Sequence, residues 1–323
     1  MADEPQASRG KRPTKDEIAL ERTVYLFGQP IAHSVSPFFH NTIFRNVGLP
    51  WRYIRLDSKD PEDLFLLMHR DDFIGAAVTM PNKVQAMDLV DIVTPEARKI
   101  GCINTIYVQP SGVGSTKSHG FIGTNTDWIG IQRALVNVDP EIRTRLQNHP
   151  ALVIGGGATC RSAIYALTEG LGAKLVYLVN RDPEEAKAAI RGMKQEGLRQ
   201  EIHFLENVEA ALSIANSPIV AISAVPDLAP KTDLEQTARD IAATMIQAKP
   251  EHISPRLFLE MCYDPTPMTW LATLAQKSDW GVIDGLDVME HQAIEQAVLW
   301  TGKPIQSLPS DLANRAIREA LHR

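Results

Sequence analysis

Four short stretches carry most of the residues able to do chemistry. Gly28-Gln29-Pro30-Ile31-Ala32-His33-Ser34-Val35-Ser36-Pro37 offers two hydroxyls one residue apart and runs on to His40-Asn41. Val78-Thr79-Met80-Pro81-Asn82-Lys83 sets a threonine four residues before a lysine. Gly101-Cys102-Ile103-Asn104-Thr105 and Gly123-Thr124-Asn125-Thr126-Asp127 add amides and a carboxylate. Each follows a predicted strand or precedes a helix, where ligands gather in open α/β sheets. Alone, each is an ordinary turn. Together they bring two serines, a threonine, a lysine, two asparagines and an aspartate towards one cleft.

A fifth stretch is of another kind. Gly155-Gly156-Gly157-Ala158-Thr159-Cys160-Arg161 lies between a strand-like run and a helix-like run. Small residues there let the backbone approach a pyrophosphate, and the helix start offers free N–H groups. Cys160 stands at the third small position of the usual glycine pattern. The next strand ends in Val179-Asn180-Arg181-Asp182. Arg181 can stack on an adenine or meet a 2′-phosphate. Asp182 can accept from ribose hydroxyls, or cap the helix that Pro183 opens, or do both. Glu184 and Glu185 add negative charge, which favours NAD over NADP.

The elements that must position these groups alternate between strand and helix. In the first unit, strands are predicted at Val24–Phe27, Trp51–Leu56, Ile74–Thr79 and Ile103–Val108. Helices are predicted at Phe38–Val47, Pro61–Arg70 and Lys83–Leu89, and a Gly/Ser/Thr-rich hairpin loop at Val108–His119. In the second, strands fall at Ala151–Ile154, Lys174–Asn180, Ile202–Leu205, Pro218–Ser223 and Leu257–Tyr263, with helices at Thr159–Leu171 and Pro183–Glu196. Two helices, Leu286–Thr301 and Asp311–Leu321, follow and could pack on either unit. The class is α/β, with mostly parallel sheets.

Composition narrows the function. The chain has 323 residues, enough for two domains. Lys plus Arg number 33 and Asp plus Glu 39, a net charge of −6, so a phosphate-backbone binder has no global electrostatic support. Cys102, Cys160 and Cys262 are odd in number and lack CxxC spacing, as expected of free thiols in a reducing compartment. No apolar run approaches the ~18 residues of a membrane span. The segment up to Arg22 is polar and carries Asp3, Glu4, Asp16 and Glu17, unlike a signal or transit peptide. The expectation is a cytoplasmic protein with no nucleic-acid, membrane or metal partner, as a monomer or homodimer. His33 and His40 read as structural. Glu290-His291 with Glu295 approaches a metal-ligand spacing but lacks an HExxH pattern and a third ligand cluster.

The motifs resemble the shikimate dehydrogenase family, which includes the quinate dehydrogenases. The likeness runs from about Val24 to Gly302 and closes on Asp284-Gly285-Leu286-Asp287-Val288-Met289-Glu290-His291-Gln292, similar to the family's DGxxMLxxQ helix. The polar segment 1–22 reads as a flexible tail, and the likeness implies a substrate domain (23–131), a Rossmann-like NAD(P) domain (132–283) and C-terminal helices returning to the substrate domain (284–323). It implies that Ser34 and Ser36 hold a substrate carboxylate, and that Thr79, Asn104, Tyr263 and Gln292 surround ring hydroxyls. Lys83 and Asp127 are then the acid–base pair. Gly155, Gly156, Gly157, Ala158, Thr159, Asn180, Arg181, Asp182, Ser223, Val225 and Gly285 are carried over as cofactor contacts. Ile222-Ser223-Ala224-Val225-Pro226 departs from the family's NATxxG and looks more like fungal members. The expected reaction is oxidation of a ring hydroxyl of quinate or shikimate with NAD, NADP being possible. The alternatives are an NADP-linked biosynthetic shikimate dehydrogenase and a non-catalytic sensor. Lys83, Asp127 and the glycine turn together argue against the sensor.

Overall fold

The computed structural model describes residues 22–110, 119–248, 255–263, 266 and 268–321. The expected tail lies outside them except for Arg22, which opens the first strand, and so does most of the Val108–His119 loop.

The first sheet is built from β1 (Arg22–Gly28), β2 (Trp51–Asp57), β3 (Phe73–Val78), β4 (Ile92–Val93), β5 (Thr105–Pro110) and β6 (His119–Thr124). Its order is β2-β1-β3-β5-β6-β4. β5 pairs antiparallel with both β3 and β6, while the other pairings are parallel. This reversal matters for the site. It puts the start of β5 at the same edge as the ends of β1, β3 and β6. Asn104 is held there from both sides: its carbonyl accepts from Val78 N at 2.7 Å and its N–H donates to Thr124 O at 3.0 Å. The helices of this half are α1 (Ser36–Asn46), α2 (Pro61–Met68) and α3 (Pro95–Ile100).

Two helices lead out, α4 (Asp127–Val138) and α5 (Ile142–Leu146). The second sheet comprises β7 (Ala151–Ile154), β8 (Leu175–Val179), β9 (Glu201–Phe204), β10 (Val220–Ser223), β11 (Arg256–Glu260) and β12 (Trp280–Asp284). Between its strands lie α6 (Ala158–Tyr165), α7 (Pro183–Gln195), α8 (Val208–Leu212), α9 (Asp233–Gln247) and α10 (Trp270–Lys277). All pairings are parallel in the order β12-β11-β10-β7-β8-β9, the doubly wound arrangement with its switch point between β7 and β10. Alternate residues of β7 feed opposite cores: Ala151 and Val153 join one, Leu152 and Ile154 the other. Such two-sided burial is what a near-continuous apolar strand requires.

The chain closes with α11 (Gly285–Thr301) and α12 (Ser310–Leu321). Leu286, Met289, Ala293, Ala297 and Trp300 of α11 share a core with Val24, Leu26 and Phe39, and Ala313 and Ile317 of α12 join it. The C-terminal helices therefore cover the first sheet. Trp300 Nε1 donates to Ile106 O at 2.9 Å, fixing α11 to β5.

Four expectations need correction. The boundary at 131 falls inside α4, whose Ile131, Ala134 and Leu135 are buried in the second sheet's core. The helix expected at Lys83–Leu89 is a turn followed by a short 3₁₀ segment, Gln85–Leu89. Lys83 O is bound by Ile103 N at 2.9 Å, and the backbone is extended again by Val90, so only one tight turn fits between. The helix expected at Thr159–Leu171 is α up to Tyr165 and then π from Ala166 to Gly170. The strand expected to reach Tyr263 ends at Glu260.

Candidate active site and dinucleotide cradle

A cleft of about 230 Å³ opens at the edge where β1, β3 and β6 end. Ser34, Ser36, Thr79, Lys83, Asn104, Asp127, Tyr263 and Gln292 all line it, so the structure brings together every residue expected around the substrate and the proton. Gly285 lines it too.

At its centre Lys83 Nζ lies 2.5 Å from Asp127 Oδ2. Each side chain is only 11% exposed. Asp127 is the first residue of α4, and its N–H donates to Asn125 Oδ1 at 3.0 Å. A carboxylate at a helix start is favoured by the dipole. The other carboxylate oxygen, Oδ1, accepts from Asn104 Nδ2 at 2.7 Å. Asn104 is fixed in turn, because its Oδ1 accepts from Thr126 N at 2.7 Å and from Thr105 Oγ1 at 2.8 Å. Gln292 Oε1 accepts from Asn104 Nδ2 at 3.2 Å and from Thr126 Oγ1 at 3.1 Å. Gln292 reaches this point because α4 and α11 touch closely. A Cβ on Gly130 would stand 2.6 Å from Val288 O and 3.0 Å from Gln292 Cβ. The network is fixed on rigid elements, as a site that must hold hydroxyls in register requires.

The serine pair sits at the start of α1, with Ser34 Oγ 3.2 Å from Ser36 Oγ. Two hydroxyls beside a helix N-terminus suit an anion. Arg55 braces their loop from β2, donating from Nη2 to Ser34 O at 2.5 Å and from Nε to Ile31 O at 3.1 Å. His33 lies on the cleft wall and is exposed. His40 does not reach the cleft lining. It is fully buried in α1, stacked on Tyr53 at 4.6 Å, and burial pushes its pKa down to about 3, so it packs as a neutral ring.

The glycine turn fits a dinucleotide. Gly155 has φ +121°, a conformation that only glycine adopts without strain. A Cβ on Gly156 would stand 2.1 Å from Asn180 Nδ2 and 2.6 Å from Glu185 Oε2. Around Gly157 the space is open, and no side chain caps α6 there. Cys160 N donates to Gly157 O at 3.0 Å, and the N–H groups of Ala158 and Thr159 are left for a ligand. Val225 closes the turn, its Cγ1 lying 3.1 Å from a Cβ placed on Gly155. Asn125 ties this half to the cleft by donating to Ser162 Oγ of α6 at 3.0 Å.

Two expected cofactor residues also have partners within the protein. Asp182 is the N-cap of α7, its Oδ1 accepting from Glu184 N at 2.9 Å and Glu185 N at 3.1 Å. A second carboxylate, that of Glu185, lies beside Gly156 and is held by Asn180 Nδ2 at 2.9 Å. Ser223 is fully buried, and its carbonyl accepts from Met261 N at 2.8 Å, which braces the β10–β11 edge.

Glu260 was not anticipated. It ends β11 fully buried, in register with Ser223. Its Oε2 accepts from Thr269 Oγ1 at 2.6 Å and its Oε1 from Cys262 N at 3.1 Å. Burial pushes its pKa from the ordinary 4.5 up to about 7. A charged residue closing an otherwise apolar buried strand, Leu257-Phe258-Leu259-Glu260, was the available signal. A raised carboxyl pKa contributes stability that is complete below about 4.5 and is lost as pH rises through about 7. Glu260→Gln removes that dependence. The Tm of the wild-type protein should fall relative to the variant between about pH 5 and pH 8. Parallel Tm curves would show that Glu260 does not carry the change.

A family model described as the shikimate dehydrogenase substrate binding domain matches residues 26–106. A quinate dehydrogenase from Emericella nidulans is 36% identical over 296 residues, which is 88% of this chain and 89% of that protein. The structure of a shikimate 5-dehydrogenase from Thermus thermophilus, in complex with NADP(H) and shikimate, matches with TM-score 0.69 at 25% identity, covering 93% of this chain and 100% of that one. The quinate dehydrogenase from Corynebacterium glutamicum in complex with NAD matches with TM-score 0.74, over 93% of this chain and 99% of that one; at 20% identity the likeness is one of fold. The sheet order, the cleft and the relatives lead to one statement: the chain belongs to the shikimate dehydrogenase family, which includes the quinate dehydrogenases.

Proposed function

We propose that the protein oxidises a ring hydroxyl of quinate, and to a lesser extent shikimate, to the 3-dehydro ketone with NAD. The observation that carries the reading is the buried Lys83–Asp127 pair, 2.5 Å apart, in a cleft lined by hydroxyls and amides. Bound at the glycine turn, the nicotinamide dinucleotide supplies the hydride acceptor. Ser34 and Ser36 take the substrate carboxylate. Thr79, Asn104, Tyr263 and Gln292 pair with ring hydroxyls, because an unpaired buried polar group costs about 1–3 kcal/mol. Oxidation of a carbinol releases a proton. Lys83 Nζ, as the neutral amine, accepts it and Asp127 Oδ2 stabilises the ammonium so formed; the reverse reduction draws the proton from that ammonium.

The assignment divides the chain at α4 into a substrate half before it and a dinucleotide half after it, with α11 and α12 completing the former. Gly155, Gly156, Gly157, Ala158 and Thr159 would hold the pyrophosphate, and Asn180, Arg181 and Glu185 would face the adenosine ribose. Among the described residues, no helix is long and apolar enough to cross a membrane.

Initial rates on a grid of quinate or shikimate with NAD or NADP test the reading. The quinate–NAD pair should be fastest; a shikimate–NADP optimum would move the protein to the biosynthetic reaction, and no rate with any pair would remove the enzyme reading. Ser34→Ala and Ser36→Ala should mainly raise KM for the carboxylate substrate, since each loses a hydrogen bond to a charged group worth roughly 1.5–3 kcal/mol. Wild-type KM in both variants would place the carboxylate elsewhere.

A further inference from the structure

Arg181 is the basic residue that the β8 end offers to a 2′-phosphate, and the structure shows it already engaged. Its Nη1 donates to Glu235 Oε1. Glu235 comes from a different crossover, the first turn of α9, which follows β10. β8 and β10 flank β7, so the loops at their carboxyl ends meet above the glycine turn.

Glu235 is no loose surface acid. Its Oε2 accepts from Lys231 N at 2.8 Å, and its own N–H donates to the Thr232 cap at 3.2 Å. The side chain is 24% exposed, against 65% for Arg181. The Lys231 N–H, first among the causes, lowers the Glu235 pKa, so the carboxylate stays charged. The flexible partner is thus the arginine and the fixed partner is the acid. Nearby, Lys187 is shared between Glu184 and Glu206, each 3.7 Å away, which leaves it no freer than Arg181.

We infer that Glu235 is a specificity-determining residue: it pins Arg181 and thereby biases the adenosine end towards a dinucleotide without a 2′-phosphate. A phosphate is recognised best by a guanidinium free to present two N–H groups. Here it must take Arg181 from a carboxylate and then sit beside that carboxylate. A plain ribose makes no such demand. The inference rests on the dinucleotide reading of the glycine turn and deepens it.

Glu235→Gln is the variant of choice, because glutamine serves as well as glutamate at this position of a capping box. Binding of ADP-ribose and of its 2′-phosphate would be measured by calorimetric titration on wild type, Glu235→Gln, Arg181→Ala and the double variant. The ratio of kcat/KM for NADP to that for NAD would be followed in parallel. Glu235→Gln should raise the relative affinity for the 2′-phosphate at least fivefold, and the double variant should lose that gain. An unchanged ratio in Glu235→Gln, or the same gain without Arg181, would overturn the pin while ADP-ribose binding kept the dinucleotide reading intact. Failure of the wild type to bind either probe or NAD would overturn both.

Discussion

Lys83→Ala is expected to lower kcat by about 10²–10⁴, the range for loss of a positioned acid–base group. The substrate KM should change less, because Ser34, Ser36 and the amides assigned to the substrate under the proposed function remain in place. Lys83→Arg separates charge from proton transfer. An arginine keeps the ion pair with Asp127 but does not give up a proton in a protein. It should therefore fold at least as well as the alanine variant and stay slow. Steady-state kcat with quinate and NAD, with circular dichroism as the check on folding, decides the matter. A folded Lys83→Ala variant with wild-type kcat would take Lys83 out of the mechanism.

The elements that carry strong local signals were legible. Val24–Phe27 and Ala151–Ile154 are short apolar runs bounded by turns, and both are buried parallel strands. Pro61 and Pro183 stand at helix starts as predicted. Some elements that went unseen have weak local patterns, whereas α3, with Thr94 capping it, Pro95 at its start and Gly101 closing it, carried clear start and stop signals that were passed over. β12 contains Gly281, which is exposed in mid-strand, and it lies at the sheet edge. α9 buries only Ile241, Ala242, Met245 and Ile246, all in its second half, so its first turns read as a polar loop. β4 is two residues long and exists only because β6 pairs with it. The reversed β5 is a matter of topology, which no window along the chain reports.

The site was legible where a residue's type and its neighbours were both informative. The serine pair, Lys83, Asn104 and Asp127 are polar groups embedded in turns or at helix ends, Gln292 is a polar group within α11, and all line one cleft. What escaped were residues whose role lies in a partner far along the chain. Arg55 braces the serine loop across 21 positions, and Glu235 reaches Arg181 across 54. Gln296 Nε2 donates to Thr105 Oγ1 across 191. Charge and helix periodicity place such residues on a face but do not say what meets them. Asp182 illustrates the converse. Both its readings were open from sequence, and the structure gives its Oδ1 to the α7 cap.

Asp127→Asn should lower kcat as far as Lys83→Ala does, and it should cost stability that Lys83→Ala partly restores. The amide keeps an acceptor for Asn104 but points a donor at the Lys83 ammonium, which is buried and has lost its anion. Breaking a buried pair in this way typically costs about 3–5 kcal/mol, because one charge remains uncompensated. Removing Lys83 as well takes that charge away. The double variant Lys83→Ala/Asp127→Asn should therefore be no slower than either single variant, and more stable than Asp127→Asn alone. Non-additivity of this kind is what residues acting as one unit show. A denaturant titration and a kcat measurement on all four proteins complete the cycle. If the two rate losses multiply, the residues act on separate steps; if Asp127→Asn is as stable as wild type, the carboxylate does not compensate the buried ammonium, and the pair is not the unit on which the proposed chemistry depends.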